Sequence, residues 1–214
     1  MTSALDPRRS PGEEVANSIS HGVGLVAALG AVPFLLSAAF RDGSTFRIVG
    51  ASVFAATLVL LYATSTVYHA LPRHGAKRVF RILDHAAVFL LIAGTYTPFT
   101  LGALRGGWGW TLFGTVWTLA LLGIAFTAAG GLRHPRLATG IYLAMGWLVL
   151  IAIRPLWLRV PPAGLVWLAA GGIAYTAGVG FFAAKRLPYH HLIWHLLVLA
   201  GSACHFVAVL RYAA

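Results

Sequence analysis

Leu187-Pro-Tyr-His-His191-Leu-Ile-Trp-His195-Leu-Leu-Val-Leu-Ala-Gly-Ser-Ala-Cys-His-Phe-Val-Ala-Val-Leu210 contains no Asp, Glu, Lys or Arg. A run of this length covers the roughly 20 apolar residues that a hydrocarbon core requires. Near its start His191 and His195 stand four apart, so on a helix they lie one above the other on the same face. Two imidazoles placed this way can turn toward one metal ion. Such pairs also arise by chance, yet ionisable side chains at the edge of a membrane span are expensive unless something uses them. The stretch therefore reads as a transmembrane helix with part of a metal site at one end.

Working outward, six more apolar segments precede it, at about 18–40, 46–71, 82–104, 107–130, 137–153 and 163–184. The fifth is the shortest. Gly and Pro breakers with basic residues separate them, as in Arg41-Asp42-Gly43, Pro72-Arg73-His74-Gly75 and Arg159-Val160-Pro161-Pro162, the composition of short connections in a bundle. The expected fold class is all-α, a seven-transmembrane helix bundle over residues 15–214, preceded by a disordered cytoplasmic tail over residues 1–14. Composition agrees: 59% of residues are hydrophobic and 10% charged, against roughly 25% charged in soluble domains. The formal charge of +11 does not point to nucleic acid, because the Lys and Arg fall in short clusters between apolar runs. There they meet anionic lipid headgroups. Cys204 is the only cysteine, so no intrachain disulfide can form.

The basic residues also orient the chain in the cell membrane. With seven spans, the tail and loops two, four and six share a side and hold ten of the 16 Lys and Arg, among them Arg73, Lys77, Arg78, Arg81, Arg133 and Lys185. The other side holds six. The positive-inside rule then places the N-terminus in the cytoplasm and the C-terminus outside.

Segment two ends Ser65-Thr-Val-Tyr-His69, and segment three begins Arg81-Ile-Leu-Asp84-His85. In any seven-span chain the end of two, the start of three and the start of seven lie on one membrane face. His69, His191 and His195 are thus candidate ligands at one depth. Three imidazoles leave a fourth tetrahedral position open, the pattern of catalytic zinc, so Zn2+ is the expected cofactor. Beside it, Asp84 is a candidate general base toward water, and Ser65 a hydrogen-bond donor to that water or to a developing oxyanion. Each has a plainer reading. Asp84 suits the first turn of a helix, paired with Arg81. Ser65 can bond back to its own helix carbonyls, and His69 can be interfacial. Glu14, Asn17 and His21 form a polar stripe at the start of segment one; Asn17 and His21, together with His85, are expected to brace the ligands from behind, although an amphipathic start to the first helix explains the stripe nearly as well. His205, about 21 Å along the helix from His191, is too far to join them. His190 reads as interfacial, and His74 and His134 as solvated loop residues.

These residues carry a resemblance. Glu13-Glu14 with Asn17 and His21, Ser65 with His69, Leu83-Asp84-His85 followed by Leu90-Leu-Ile-Ala-Gly-Thr-Tyr-Thr-Pro98, and His191-Leu-Ile-Trp-His195 with Gly201 and His205 resemble the bacterial hemolysin III family, in family order and over nearly the whole chain. That family belongs with the progestin and adipoQ receptors, adiponectin receptors included, and is more remotely similar to the alkaline ceramidases. The resemblance implies a seven-helix protein with zinc near the cytoplasmic face on His69, His191 and His195, Asp84 at the zinc-bound water, and Ser65 as the motif serine. Three functions are in view: a zinc-dependent hydrolase of lipid amides or esters, its lipid-like substrate arriving from the bilayer; a receptor or lipid-homeostasis sensor with structural zinc; and a cytolysin. The Asp84 arrangement favours the first. Short loops leave little surface for a signalling partner, and seven apolar spans are poorly built to leave one cell and insert in another. Membrane lipids are the expected partners. A retinal pigment is excluded because the only lysines, Lys77 and Lys185, read as loop residues.

Overall fold

The computed structural model of the chain describes residues 10–72 and 75–213; residues 1–9 of the polar tail, Arg73 and His74 of the second loop, and Ala214 lie outside the described residues. Ser10 starts the first helix. Its hydroxyl accepts the Glu13 N–H at 3.1 Å, and the Glu13 carboxylate accepts the Ser10 N–H at 2.9 Å. This reciprocal cap, with Pro11 at the first helical position, begins a helix despite the polar sequence. Helix α1 accordingly spans Pro11–Asp42. Residues 11–14, expected to belong to the tail, form its first turn.

Helices α2 (Thr45–Ala70), α3 (Gly75–Leu101) and α4 (Gly107–Ala128) follow as continuous spans. The start of α3 corrects two expectations. Lys77, Arg78 and Arg81 are helical, and Lys77 is buried. Asp84 lies nine residues into the helix, more than two turns in and clear of the dipole end.

The fifth span is broken. Helix α5 (Pro135–Gly146) and helix α6 (Ile153–Arg159) are joined through a 3-10 turn over Leu148–Ala152, and together they make a 25-residue crossing from Pro135 to Arg159. Pro155 has no N–H for the Ile151 carbonyl, and Gly146 weakens the helix ahead of it. The loosened backbone is met from α3. Tyr96 Oη accepts the Val149 N–H at 2.9 Å and shares its own proton between the Met145 and Gly146 carbonyls, at 2.9 and 2.8 Å. A lipid environment demands such a repair. Helices α7 (Pro162–Ala183) and α8 (His190–Tyr212) complete the chain.

Among the described residues, seven crossings are long and apolar enough to span a bilayer, as the hydropathy pattern requires. From α1 to α4 each helix packs on the next; α7 packs on α8, and α8 returns to α1. Helix α5 touches α3, α4 and α7, each only lightly. Helices α2 and α3 approach closely at Gly94, where a Cβ would fall 2.1 Å from Thr57 Oγ1. This packing brings the end of α2, the early turns of α3 and the start of α8 to one end of the bundle.

Candidate metal centre

His69 is the penultimate residue of α2, and His191 and His195 occupy the first two turns of α8. All three are buried, and one ring nitrogen from each lies within 4.8 Å of the others. The ring centroids are 4.6–5.1 Å apart with planes tilted by 55–70°, so the rings converge without stacking on one another. Among the described residues no other group of three His, Cys, Asp or Glu is gathered in this way.

The rings are set from behind by α1. His195 Nδ1 lies 3.2 Å from the Asn17 carbonyl oxygen and 3.0 Å from Ser20 Oγ. A carbonyl only accepts, so Nδ1 carries the proton and Nε2 keeps the lone pair that a metal needs. Ser20 donates to the same carbonyl at 2.8 Å. His21 stacks on His195 with centroids 3.6 Å apart and planes 12° from parallel. His69 Nδ1 faces Glu14 Oε2 at 3.4 Å, which likewise leaves its Nε2 for a metal. Lys77 Nζ donates to that same carboxylate oxygen at 2.6 Å and to the Leu71 carbonyl at 3.0 Å. Glu13 Oε1 accepts the N–H of Tyr189 at 2.8 Å. Tyr189, left-handed at φ 55°, is the residue from which α8 begins. Three turns of α1 therefore hold both helices that carry the histidine cluster.

Asn17 and His21 fall where the polar stripe placed them, although Asn17 acts through its backbone oxygen. His85 accompanies the acid: its Nδ1 lies 3.6 Å from Asp84 Oδ2 and donates to the Arg81 carbonyl at 2.9 Å. His190, expected at the interface, is buried in the cavity wall, because the turn at Tyr189 brings the start of α8 inside the bundle. His134 is exposed ahead of α5, as expected.

Ser65 sits one turn before His69. Its Oγ is buried and has no hydrogen-bond partner among the described residues. Its neighbours do bond back to their own helix, Thr64 to the Leu60 and Leu61 carbonyls and Thr66 to that of Tyr62. Back-bonding thus accounts for the threonines and not for the serine. Ser65, Asp84, His191 and His195 line one cavity of about 820 Å³, whose walls are mostly apolar.

The sequence reading missed Ser20 and Lys77. Ser20 carried a signal, standing three residues past Asn17 on the same face. Lys77 carried none, since its burial depends on Glu14 from another helix.

The donor set fits a borderline divalent ion: three imidazoles, two of them (His69 and His195) with the second nitrogen engaged, and no thiol among them. The family profile described as "Haemolysin-III related" matches residues 10–206, which include every residue of this site. The chain belongs to the haemolysin-III family. It is 45% identical over 200 residues to "Hemolysin-3 homolog" of Bacillus subtilis, covering 94% of each chain. It is 44% identical over 200 residues to "Hemolysin-3" of Bacillus cereus, covering 94% of this chain and 91% of that one. The likeness extends to plants, with 29% identity over 184 residues to "Heptahelical transmembrane protein ADIPOR2" of Oryza sativa subsp. japonica, covering 73% and 79%. Like the plant heptahelical protein named here, this member of the haemolysin-III family is a multi-pass membrane protein, and it holds a buried three-histidine cluster.

Proposed function

We propose that the chain is a zinc-dependent hydrolase of lipid amides or esters, working at the cytoplasmic side of the membrane. The observation that carries this reading is a three-histidine cluster two of whose rings, His191 and His195, line a large, mostly apolar cavity that also presents Asp84 and Ser65. Its volume of about 820 Å³ is in the usual range for sites that enclose small molecules. Helices α5 and α7 wall it and touch each other only lightly, which gives an acyl chain a side from which to arrive out of the bilayer.

His69, His191 and His195 would hold the ion through Nε2, with Glu14 and the Asn17 carbonyl fixing the rings. Zinc bound there would polarise a carbonyl and acidify water. Asp84 accepts the proton of the attacking water as its oxygen bonds to the carbonyl carbon, and returns that proton to the amine or alcohol that leaves. Ser65 Oγ–H donates to the oxygen on which negative charge develops. The apolar walls hold the chain and keep bulk water away.

The cytoplasmic placement rests on the ten-to-six division of basic residues. Alkaline phosphatase fused to the C-terminus is expected to be active and to be silent at the N-terminus; the opposite pattern reverses the orientation. The activity is tested by lipid profiling of membranes incubated with purified protein. One lipid class should fall, with its fatty acid and its amine or alcohol rising together, and a chelator should stop the change. Metal-loaded protein that leaves every lipid class unaltered removes the hydrolase reading and favours a sensor with structural metal.

A further inference from the structure

The cavity has a second polar end that hydrolysis does not use. His205 lines the same cavity as Ser65 and His191 and lies ten residues past His195 on α8, about 15 Å along the axis. The residue is 8% exposed. Its Nδ1 is 2.9 Å from the Gly201 carbonyl, and this is its one hydrogen bond among the described residues. The carbonyl accepts, so Nδ1 carries the proton and Nε2 is a fixed acceptor. Tyr175 of α7 stacks on the ring, with centroids 5.3 Å apart and planes 18° from parallel, and its hydroxyl is occupied with Ser202 at 3.0 Å. The pair fits because α7 and α8 carry glycines there: a Cβ on Gly171 would come 2.3 Å from the His205 ring, and one on Gly201 2.6 Å from the Tyr175 ring. Thr95, also in this part of the wall, spends its hydroxyl on the Leu91 carbonyl.

An apolar chain filling this end would strip water from Nε2 and leave it unmatched, which is costly. A chain that brings its own donor avoids that cost. The donor must also lie far from the labile bond, because the metal ligands are near the other end of the cavity. A hydroxyl beside the carbonyl does not reach. We propose that His205 selects acyl chains bearing a hydroxyl group in mid-chain, with the hydroxyl donating to Nε2 while the amide or ester lies at the three-histidine end. This rests on the lipid-hydrolase reading for what occupies the cavity.

The test is competition for radiolabelled oleate on purified protein in nanodiscs, using oleate and ricinoleate, which differ by one mid-chain hydroxyl, and α-hydroxyoleate as the positional control. Ricinoleate is expected to compete about three- to tenfold better than oleate, the range for one net hydrogen bond. The α-hydroxy isomer should show no gain. In His205→Leu the preference should vanish, with oleate competing better than on wild type because no acceptor is left there to be stripped of water. Repeating the comparison with the two ethanolamides shows whether the chain is favoured as a free acid or within a lipid amide, and a preference in either form supports the inference. Equal competition within both the acid pair and the ethanolamide pair, or a preference that persists in His205→Leu, overturns it and leaves the hydrolase reading standing. Failure of every chain to displace the label overturns both. The wild-type comparison with the positional isomer decides the matter even if the variant does not fold.

Discussion

Asp84→Asn is expected to leave metal content unchanged and to lower turnover of an acyl lipid by about 10²–10⁴-fold, the usual contribution of a positioned general base. Asp84 stands outside the ligand group, so the change does not touch the ion. The amide keeps the shape of the carboxylate and loses the ability to take a proton from water. The competing account, an acid placed to suit a helix start, is weakened by the early start of α3 at Gly75, which puts Asp84 beyond the turn where the dipole acts. A purely structural charge predicts a loss confined to stability and no change in rate. Metal content, thermal midpoint and turnover measured on one preparation separate the two. A variant that retains zinc and full turnover takes Asp84 out of the mechanism.

The second large effect is on the ion itself. Wild-type protein is expected to carry about one metal ion per chain, and His69→Ala, His191→Ala and His195→Ala nearly none, because two imidazoles seldom hold what three were arranged to hold. Glu14→Gln should be graded rather than absolute, weakening affinity by about 10–100-fold, as is typical when the partner behind a ligating histidine is changed. The neutral amide no longer anchors His69 by a charge-assisted bond, and it leaves Lys77 buried without its counter-charge. Elemental analysis reads the first set, and competition against chelators of increasing strength reads the second. Full metal retention in a histidine variant removes that residue from the ligands. Unchanged affinity in Glu14→Gln reduces the Glu14–Lys77 pair to packing.

Much of this centre was legible because hydropathy and helical spacing are local properties. The seven crossings follow from apolar runs, and the gathering of His69, Asp84, His191 and His195 at one end follows from the parity of the crossings alone. What escaped depends on contacts between distant segments. The start of α3 was hidden because hydropathy registers only its apolar part, and the basic turn ahead of Ile82 looks like a loop. Burial of Lys77 needs the carboxylate of Glu14. The inward position of His190 needs the left-handed backbone of Tyr189. The start of α1 was the exception: Ser10 and Glu13 spell a capping box, and the polarity of Glu13-Glu14 masked it.

The break in the fifth crossing bears on the order in which the protein is built. Three backbone groups, the carbonyls of Met145 and Gly146 and the N–H of Val149, depend on a single oxygen from Tyr96. Tyr96 is synthesised about fifty residues before Gly146. When the broken crossing leaves the insertion machinery, its partner already lies in the bilayer. The segment then need not linger in lipid with bare polar backbone, a state that the hydrocarbon penalises. A rearranged gene that delivered residues 135–159 ahead of α3 would reverse this sequence, so the order of the helices along the chain is itself part of how the wall of the cavity forms.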